Sequence, residues 1–409
     1  MIKRWCCASL TLLSLNAWAG ETVSNRARQM HEAAVVLDTH LDTPSNLHRP
    51  GWSILDRHEQ DKGFAQVDLP RMKEGGLDGG FWVIYTAQDA RDEAGNRAAR
   101  DHGLIRLAAI REMIAANPNE FELALTADDA VRIEKAGKRI VFISMENASP
   151  LASDPSLVGA YYKLGLRMLG ITHTRNNDFG DSSTDATGYE WQGLSEKGRA
   201  LVKEANRLGI LLDASHASDA VFDQLLELSS APIVLSHTSA DAIFDHPRNI
   251  DDARIRKLAE KGGVIHVNAY GGYLIPMPKI PQRDAEMEAL EKRYGEYSAL
   301  SADQIQQWLR EQAEIDRKYP VPTANLDDYM RHLLHVLKVA GPDHVGIGAD
   351  WDGGGGVEGL DDVSALPVIS ERLLAAGYQE HEVRNIMGGN LLRLLREAAA
   401  VAANAIDSR

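Results

Sequence analysis

The sequence predicts an α/β fold, a closed (β/α)8 barrel of the TIM type, from two observations. Eight short apolar runs rich in β-branched residues are mostly separated by segments with helical spacing, and this alternation indicates a parallel sheet. Histidines and carboxylates end many of these runs, and a barrel gathers the carboxyl ends of its strands at one face. An open doubly wound sheet is the alternative, but no Gly-x-Gly-x-x-Gly motif follows the first run. The runs lie at about 34–41, 79–86, 139–145, 167–173, 209–215, 232–236, 263–269 and 344–349.

The amino terminus has the features of a secretory signal peptide over residues 1–19. Two basic residues precede an apolar stretch, and small residues precede Gly20, where cleavage is expected. The apolar stretch is too short to span a membrane. Cys6 and Cys7 both lie in this segment, so the mature chain is expected to contain no cysteine. That excludes disulfides, a cysteine nucleophile and a thiolate metal site.

Length and charge favour one large barrel domain over residues 20–409. The formal net charge of the 409-residue chain is −15, and the mature value is −17 because two basic residues leave with the signal peptide. Basic residues are not clustered, so nucleic acid is not an expected partner. No hydrophobic tail follows Asn390, so no membrane anchor is expected in the mature form.

The segments between the runs are predicted as helices, with two exceptions. Ser218 is expected to begin one helix and Gly209 to end another. Residues 43–78 form a long connection after the first run and are a candidate wall of the active site. Residues of about 271–343 are a predicted helical insertion, and most of its charged stretch, 283–318, is expected to face solvent.

Five residues at or just after the ends of apolar runs form a candidate site for two metal ions. His40 and Asp42 alternate along the first strand, so both can point into the barrel mouth and bind one ion. Glu146 can bridge two ions through its two oxygens, and His216 and His237 would complete the second. Two ions about 3.5–4 Å apart share a water, lower its pKa towards roughly 7 and polarise a scissile carbonyl.

Two further residues suit the chemistry of hydrolysis. Asp350 ends the eighth run and is placed for proton transfer, with Asp352 as a competitor for that role. His173 ends the fourth run and could hydrogen-bond a carbonyl oxygen or an oxyanion. His266 lies within a run and is expected to be a hydrogen-bonded interior residue. Nine other histidines are expected to be solvated: His31, His48, His58, His102, His246, His332, His335, His344 and His381.

The ordered motifs of the chain resemble the membrane (renal) dipeptidase family of zinc peptidases, which belongs to the amidohydrolase-like barrels. The resemblance covers nearly all of the mature chain. It rests on D-x-H-x-D at 38–42, QVDLPRMKEGGLDGGFW at 66–82, ISMEN at 143–147, ITHTRNN at 171–177, DASH at 213–216, LSHTSA at 235–240, NAY at 268–270, GIGADWDG at 346–353 and GGNLLRLL at 388–395.

The resemblance implies a binuclear zinc site on the five ligands named above. It also implies that Asp350 is the acid/base aspartate and that His173 holds the substrate carbonyl. Arg248 matches the arginine that binds the carboxyl-terminal carboxylate of a dipeptide, and Tyr270 looks like a residue of the substrate pocket. The cysteines that form disulfides in animal members are missing, so any homodimer is expected to be noncovalent.

The expected function is therefore that of a secreted zinc dipeptidase, located in the periplasm, with dipeptides as its partners. Family members often accept a D-residue at the carboxyl-terminal position, so such dipeptides are expected substrates. The alternative is another metal-dependent amidohydrolase that acts on a lactone, a lactam or an N-acyl amino acid. A site bridged by a carboxylated lysine is disfavoured because no lysine ends the fourth run.

Overall fold

A computed structural model describes residues 22–58, 65–88, 90–295 and 300–407. The predicted signal peptide, with its two cysteines, lies outside the described residues. The strands are β1 (Leu37–Leu41), β2 (Gly79–Tyr85), β3 (Phe121–Leu123), β4 (Arg139–Glu146), β5 (Leu166–Gly170), β6 (Leu211–Asp213), β7 (Val234–Leu235), β8 (Val264–Val267) and β9 (Val345–Ile347).

Eight of these strands form a parallel barrel, which confirms the predicted fold class. Neighbouring strands pair in the order β1-β2-β4-β5-β6-β7-β8-β9, and every pair is parallel. The ring comes together between its first and last strands, where Leu41 forms a parallel bridge with Trp351. The backbone N–H of Asp42 donates to the carbonyl of Trp351 over 2.8 Å. Each of the eight predicted runs overlaps one strand of the ring, and β4 and β5 extend one residue beyond their runs.

The remaining strand, β3, was not predicted. It lies outside the ring and pairs in parallel with the start of β4. Its buried residue is Phe121, which packs edge-on against Trp82 at a ring-centroid distance of 5.8 Å, while Leu123 is half-buried. A three-residue strand offers too short a pattern to be distinguished from a loop.

The helices alternate with the strands and surround them. They are α1 (Asn25–Glu32), α2 (Leu69–Glu74), α3 (Glu93–Ala116), α4 (Ala127–Lys135), α5 (Leu157–Lys163), α6 (Glu196–Leu208), α7 (Asp219–Leu228), α8 (Asp252–Glu260), α9 (Pro281–Tyr294), α10 (Ala302–Lys318), α11 (Leu326–Ala340), α12 (Leu366–Ala375), α13 (Glu380–Arg384) and α14 (Asn390–Asp407). No helix among the described residues has the length and apolar character needed to span a membrane.

Local sequence signals set the helix ends that were predicted. The Ser218 hydroxyl accepts from the N–H of Val221 and begins α7, which satisfies one of the free donors of the first turn. Gly209 follows α6 with φ +75°, a left-handed conformation that a side chain would disfavour. Both helix ends are confirmed.

Among the described residues, three α-helices lie between β8 and β9, and one of them belongs to the outer ring. α11 packs against α8 and against both strands. α9 and α10 pack on each other, joined by ion pairs between Arg283 and Asp316 (2.8 Å) and between Lys318 and Glu286 (2.6 Å). We call α9 and α10 together the helical hairpin.

Asp38 and Thr39 make a set of buried hydrogen bonds inside the barrel, here called the polar lock, which fixes β1 relative to its neighbours. Asp38 is fully buried and accepts from the N–H groups of His40 (2.8 Å) and Ala349 (3.0 Å). The Thr39 hydroxyl donates to the Ser236 carbonyl over 2.5 Å. Burial raises the pKa of Asp38 to about 7, and the two backbone N–H groups oppose that rise. The lock holds the carboxyl end of β1 in register with the strands on its far side.

The structure corrects two of the histidine predictions. His31 on α1 and His332 on α11 were expected to be solvated, but both are buried and hydrogen-bonded. Each histidine lies on the inner face of its helix. The sequence pattern of a helix does not show whether a single polar residue lies on the inner or the outer face. His266 is interior, as predicted, with its Nδ1 3.3 Å from the Leu235 carbonyl.

His31 should make the stability of the fold depend on pH. Its Nδ1 lies 2.8 Å from the Ser370 hydroxyl and its Nε2 2.9 Å from the Gly75 carbonyl. Burial lowers its pKa from 6.5 to about 4. Above pH 6.5 the ring is neutral in both states. As the pH falls towards 4, only the unfolded chain gains this proton, so the contribution of His31 to stability is lost in that window.

The test compares the wild type with His31→Gln in denaturant unfolding at pH 7 and pH 5. The stability of the wild type relative to the variant should fall by about 2 kcal/mol between these pH values. Taking the difference removes the titration of all other groups. Parallel pH curves for the two proteins would show that His31 protonates equally in both states, contrary to this account.

Candidate metal centre

Seven of the nine predicted site residues meet at the carboxyl-terminal mouth of the barrel. His40 lies in β1 and Glu146 ends β4, while the other five lie within three residues after a strand. Six of the seven are buried, and the His173 side chain is 19% exposed. The five that follow a strand are Asp42 after β1, His173 after β5, His216 after β6, His237 after β7 and Asp350 after β9.

One oxygen atom, Oε1 of Glu146, lies at the centre of the group. The Nε2 atoms of four histidines surround it, at 3.1 Å for His216, 3.5 Å for His237, 3.6 Å for His40 and 3.8 Å for His173. The Nε2 atoms of His216 and His237 are 2.9 Å apart. A carboxylate shared by imidazoles from four strands can bridge two cations.

On the other side of the group, His40 also faces two aspartates. Its Nε2 lies 3.3 Å from Oδ2 of Asp42 and 3.9 Å from Oδ1 of Asp350. Three overlapping sets of side chains have ligand atoms within 4.8 Å of one another: His40 with Glu146 and His237, Glu146 with His173 and His216, and His40 with Asp42 and Asp350. Each set offers imidazole and carboxylate ligands, which suit a divalent ion such as zinc.

Hydrogen bonds behind His237 orient it as a ligand. The Ser236 hydroxyl donates to Oδ2 of Asp213 over 2.5 Å and lies 2.7 Å from Nδ1 of His237. Because the hydroxyl hydrogen is directed to Asp213, Nδ1 of His237 must donate to the hydroxyl oxygen. That tautomer leaves the Nε2 lone pair directed into the site, as a metal ligand requires.

The protonation states of His216, His237 and Glu146 also fit a bound cation. Burial holds the pKa values of His216 and His237 well below the usual range, which keeps both rings in the neutral form that binds metals. Burial alone would raise the pKa of Glu146, but His173 and His40 hold it well below its usual value. Within this group, four buried ring and carboxylate atoms have no hydrogen-bond partner among the described residues: Nδ1 and Nε2 of His40, Oδ1 of Asp42 and Nδ1 of His216.

Backbone strain is concentrated at the same place. Five non-glycine residues in the described ranges have positive φ, and four of them are in or beside the group: Asn147, His216, Asp350 and Asp352. Left-handed backbone disfavours residues with a Cβ and persists at functional sites, where the surrounding structure enforces it. The Asn147 side chain helps to hold its turn by donating to the Thr86 carbonyl over 2.8 Å.

Asp350 and Asp352 are distinguished by their partners. Asp352 accepts from the N–H of Gln66 (2.6 Å) and from the Thr43 hydroxyl (2.7 Å), so its role is to hold the 43–78 connection against the mouth. Asp350 instead faces His40. A Cβ on Gly353 would lie 2.2 Å from Oδ2 of Asp42 and 2.3 Å from Oδ1 of Asp350. The run of glycines at 353–356 was the signal for this close approach, and the sequence interpretation missed it.

The two remaining predicted residues lie beside the group. Arg248 is 3% exposed and donates from Nη2 to the His237 carbonyl over 3.0 Å. Its guanidinium carbon lies 5.1 Å from the ring centroid of Tyr273, a residue that the sequence interpretation did not select. Tyr270 is 37% exposed, and its ring centroid is 4.5 Å from that of Tyr273. Both tyrosines line the cavity above the group, whereas Arg248 lies beneath its surface.

That cavity has a volume of about 1170 Å³. Ser45, Asn46 and Gln66 line it, which confirms the 43–78 connection as a wall of the site. Glu291 and Trp308 of the helical hairpin also line it. Most described residues of the 283–318 stretch are exposed or half-buried, as expected, and Glu291 and Trp308 face the cavity.

Comparisons with known proteins agree with this geometry. Residues 24–409 match the membrane dipeptidase family, peptidase family M19. The dipeptidase verJ of Clonostachys rogersoniana is 30% identical over 371 residues, which cover 88% of this chain and 83% of that protein. The dipeptidase tcpJ of Claviceps purpurea is 29% identical over 360 residues, covering 86% of this chain and 74% of that protein.

Solved structures are similar over most of the chain. The probable dipeptidase PvdM from Pseudomonas aeruginosa superposes with a TM-score of 0.79 at 29% identity, covering 92% of this chain and 98% of that one. A metallopeptidase from Rhodobacter sphaeroides, bound to a phosphinate mimic of the dipeptide L-Ala-D-Ala, superposes with a TM-score of 0.70 at 27% identity, covering 89% of this chain and 99% of that one.

A family match over nearly the whole chain thus coincides with a cluster of metal-type ligands at the mouth of the predicted barrel. The chain belongs to the membrane dipeptidase family, peptidase family M19, and is a metallo-dipeptidase, a hydrolase that acts on dipeptides.

Proposed function

We propose that the protein binds two zinc ions and uses them to hydrolyse dipeptides, including dipeptides with a carboxyl-terminal D-residue. The observation that carries the proposal is the position of Oε1 of Glu146, within 3.1–3.8 Å of the Nε2 atoms of four histidines. A bridging carboxylate has a purpose in a binuclear site and none in a mononuclear one.

In this proposal His40 and Asp42 hold one ion, His216 and His237 hold the other, and Glu146 bridges them. When bound, the ions supply Lewis-acid chemistry, because they lower the pKa of the attacking water and polarise the scissile carbonyl. The ligand types favour zinc, which accepts both imidazole and carboxylate. The positive charge of the ions would also balance the three buried carboxylates that face His40, a role that only protons could otherwise fill.

Asp350 is proposed as the proton carrier. Burial raises its pKa to about 7, with His40 opposing the rise and Asp42 adding to it. Cations in the site would favour its ionised form again. Its Oδ1 can take a proton from the attacking water and pass it to the leaving amine. His173, whose pKa burial lowers, is neutral and can donate a hydrogen bond to the carbonyl oxygen as negative charge develops there.

Arg248 is proposed to bind the substrate carboxylate. It has no carboxylate within ion-pair distance among the described residues, and its Nε is buried without a hydrogen-bond partner. A guanidinium in that position can form two parallel hydrogen bonds to an incoming carboxylate. Because the Tyr273 ring lies against Arg248, that ring must shift to admit the substrate. The phosphinate ligand of the Rhodobacter sphaeroides relative, a mimic of L-Ala-D-Ala, supports D-residues as carboxyl-terminal substrates.

The remaining parts of the proposal concern location and assembly. The signal-like sequence of residues 1–19 supports export to the periplasm. Cell fractionation with amino-terminal sequencing tests this. A homodimer is proposed from the resemblance to animal members of the family, and it would be noncovalent because residues 20–409 contain no cysteine. Light scattering of the purified protein tests it.

The metal centre is tested with Glu146→Gln. The wild type should contain two divalent ions per chain by elemental analysis and should hydrolyse L,L and L,D dipeptides in a kinetic screen. The variant should lose metal and activity, because an amide is a weaker bridging ligand than a carboxylate. Glu122→Gln, a carboxylate of β3 outside the centre, is the matched control and should keep both. One ion per chain, with full activity in Glu146→Gln, would refute the binuclear proposal.

Proton transfer is tested with Asp350→Asn. The variant should retain its metal content but lose about 10²–10⁴-fold in kcat, the usual contribution of a positioned acid or base. Asp352→Asn is the comparison, since it removes a neighbouring carboxylate that makes structural hydrogen bonds. If Asp350→Asn turns over at nearly the wild-type rate while Asp352→Asn does not, the proton role belongs to Asp352.

Carboxylate binding is tested with Arg248→Ala. Loss of a charge-assisted contact should cost on the order of 2–5 kcal/mol, or roughly 30-fold to several thousandfold in kcat/KM. The same dipeptides with an amidated carboxyl terminus should be poor substrates for the wild type and should lose far less in the variant. An equal loss on free and amidated substrates would make Arg248 a structural residue that supports His237.

A further inference from the structure

The outer part of the cavity offers more room than a dipeptide needs. Its volume of about 1170 Å³ exceeds the usual range of about 300–1,000 Å³ for pockets that hold drug-sized ligands. A simple dipeptide is smaller than such ligands. Residues of the helical hairpin line part of this cavity, so its walls can contact a part of the substrate other than the peptide bond.

The side chains of this outer wall are apolar and acidic. Trp308 and the buried Leu300 supply apolar surface, while Glu291 and Glu358 supply two carboxylates. Neither carboxylate has a cationic partner within 4 Å among the residues that the structure describes. Arg106 also lines the cavity, but its guanidinium donates to the Pro44 carbonyl over 2.6 Å, on the wall formed by the connection after β1.

Hydrogen bonds and an ion pair connect the segments that form the outer wall. Within the helical hairpin, Arg293 contacts Glu311 at 2.5 Å, and the Tyr294 hydroxyl donates to the same carboxylate over 2.8 Å. Beyond the hairpin, the N–H of Leu326 donates to the Glu358 carbonyl over 2.8 Å, and the N–H of Glu358 donates to the Ala324 carbonyl over 3.1 Å. These contacts hold the backbone on which the Glu358 side chain stands and join the two helices of the hairpin that carry Glu291 and Trp308.

We propose that this outer wall is a binding subsite for a long basic side chain on the amino-terminal residue of the dipeptide. The inference rests on the proposed function, in which Arg248, almost fully buried, holds the carboxyl end and the amino-terminal residue faces the outer space. An arginine side chain matches the wall, because its apolar stem and planar guanidinium can stack on Trp308 while its charge faces Glu291 and Glu358.

The test uses three substrates that share the same scissile bond: Arg-Ala, citrulline-Ala and Ala-Ala. Citrulline has the shape of arginine without its charge, so the ratio of kcat/KM for Arg-Ala to that for citrulline-Ala isolates the charge contribution. The wild type should prefer Arg-Ala to citrulline-Ala. In the double variant Glu291→Gln with Glu358→Gln that preference should fall by about two- to fivefold for each carboxylate, the range expected for exposed ion pairs.

A second variant tests the aromatic part of the wall. Trp308→Ala should lower kcat/KM for Arg-Ala by about five- to tenfold relative to Ala-Ala. Gln307→Ala, an exposed neighbour on the same helix, is the control and should leave all three substrates unchanged. Turnover of Ala-Ala shows that each variant is folded.

The outcomes separate this inference from the function on which it rests. If the wild type hydrolyses none of the three substrates, the proposed function fails. If it hydrolyses Ala-Ala and both wall variants retain the wild-type ratios among the three substrates, the dipeptidase stands and the basic subsite is overturned.

Discussion

The arrangement of the mouth depends on one constraint, the close packing of buried carboxylates and imidazoles around Oε1 of Glu146. Charges removed from water are costly unless opposite charge meets them. The centre has three buried carboxylates and few hydrogen-bond donors directed at them, so positive charge must be supplied there. A divalent ion supplies this positive charge more effectively than a proton on His40 does. The same need for positive charge explains why His216 and His237, both neutral, point their Nε2 atoms inward.

The barrel provides the stiffness that this arrangement needs. The buried lock of Asp38 and Thr39 ties β1 to the opposite side of the ring. Left-handed backbone at His216 and Asp350 directs side chains that ordinary strand ends would direct elsewhere. Such strain persists only where the surrounding packing holds it, and eight paired strands with their outer helices supply that packing.

The connections after the strands determine what else enters the site. The 43–78 connection and the helical hairpin line one cavity, although they are far apart in the chain. In the proposed function, the metal centre fixes the bond to be cleaved and Arg248 fixes one end of the substrate. The hairpin, with Trp308 and Glu291, would then select what the other end carries. Catalysis and selectivity would in that case lie on different connections and could vary separately.

The sequence by itself was enough to predict the barrel and most residues of the candidate metal centre. Eight apolar runs correspond to the eight strands of the ring, and parallel strands in a closed ring bring their carboxyl ends together. His40, Glu146, His216 and His237 could therefore be predicted as site residues from the sequence alone. The tertiary structure alone decided which neighbours complete the site. Tyr273 and Trp308 carry no pattern of their own, because their role is to approach residues distant in the chain. Likewise, His31 and His332 look like surface histidines until helix packing places them inside. Local periodicity reports which face of an element is apolar, whereas the contact of one connection with another depends on the whole three-dimensional path of the chain.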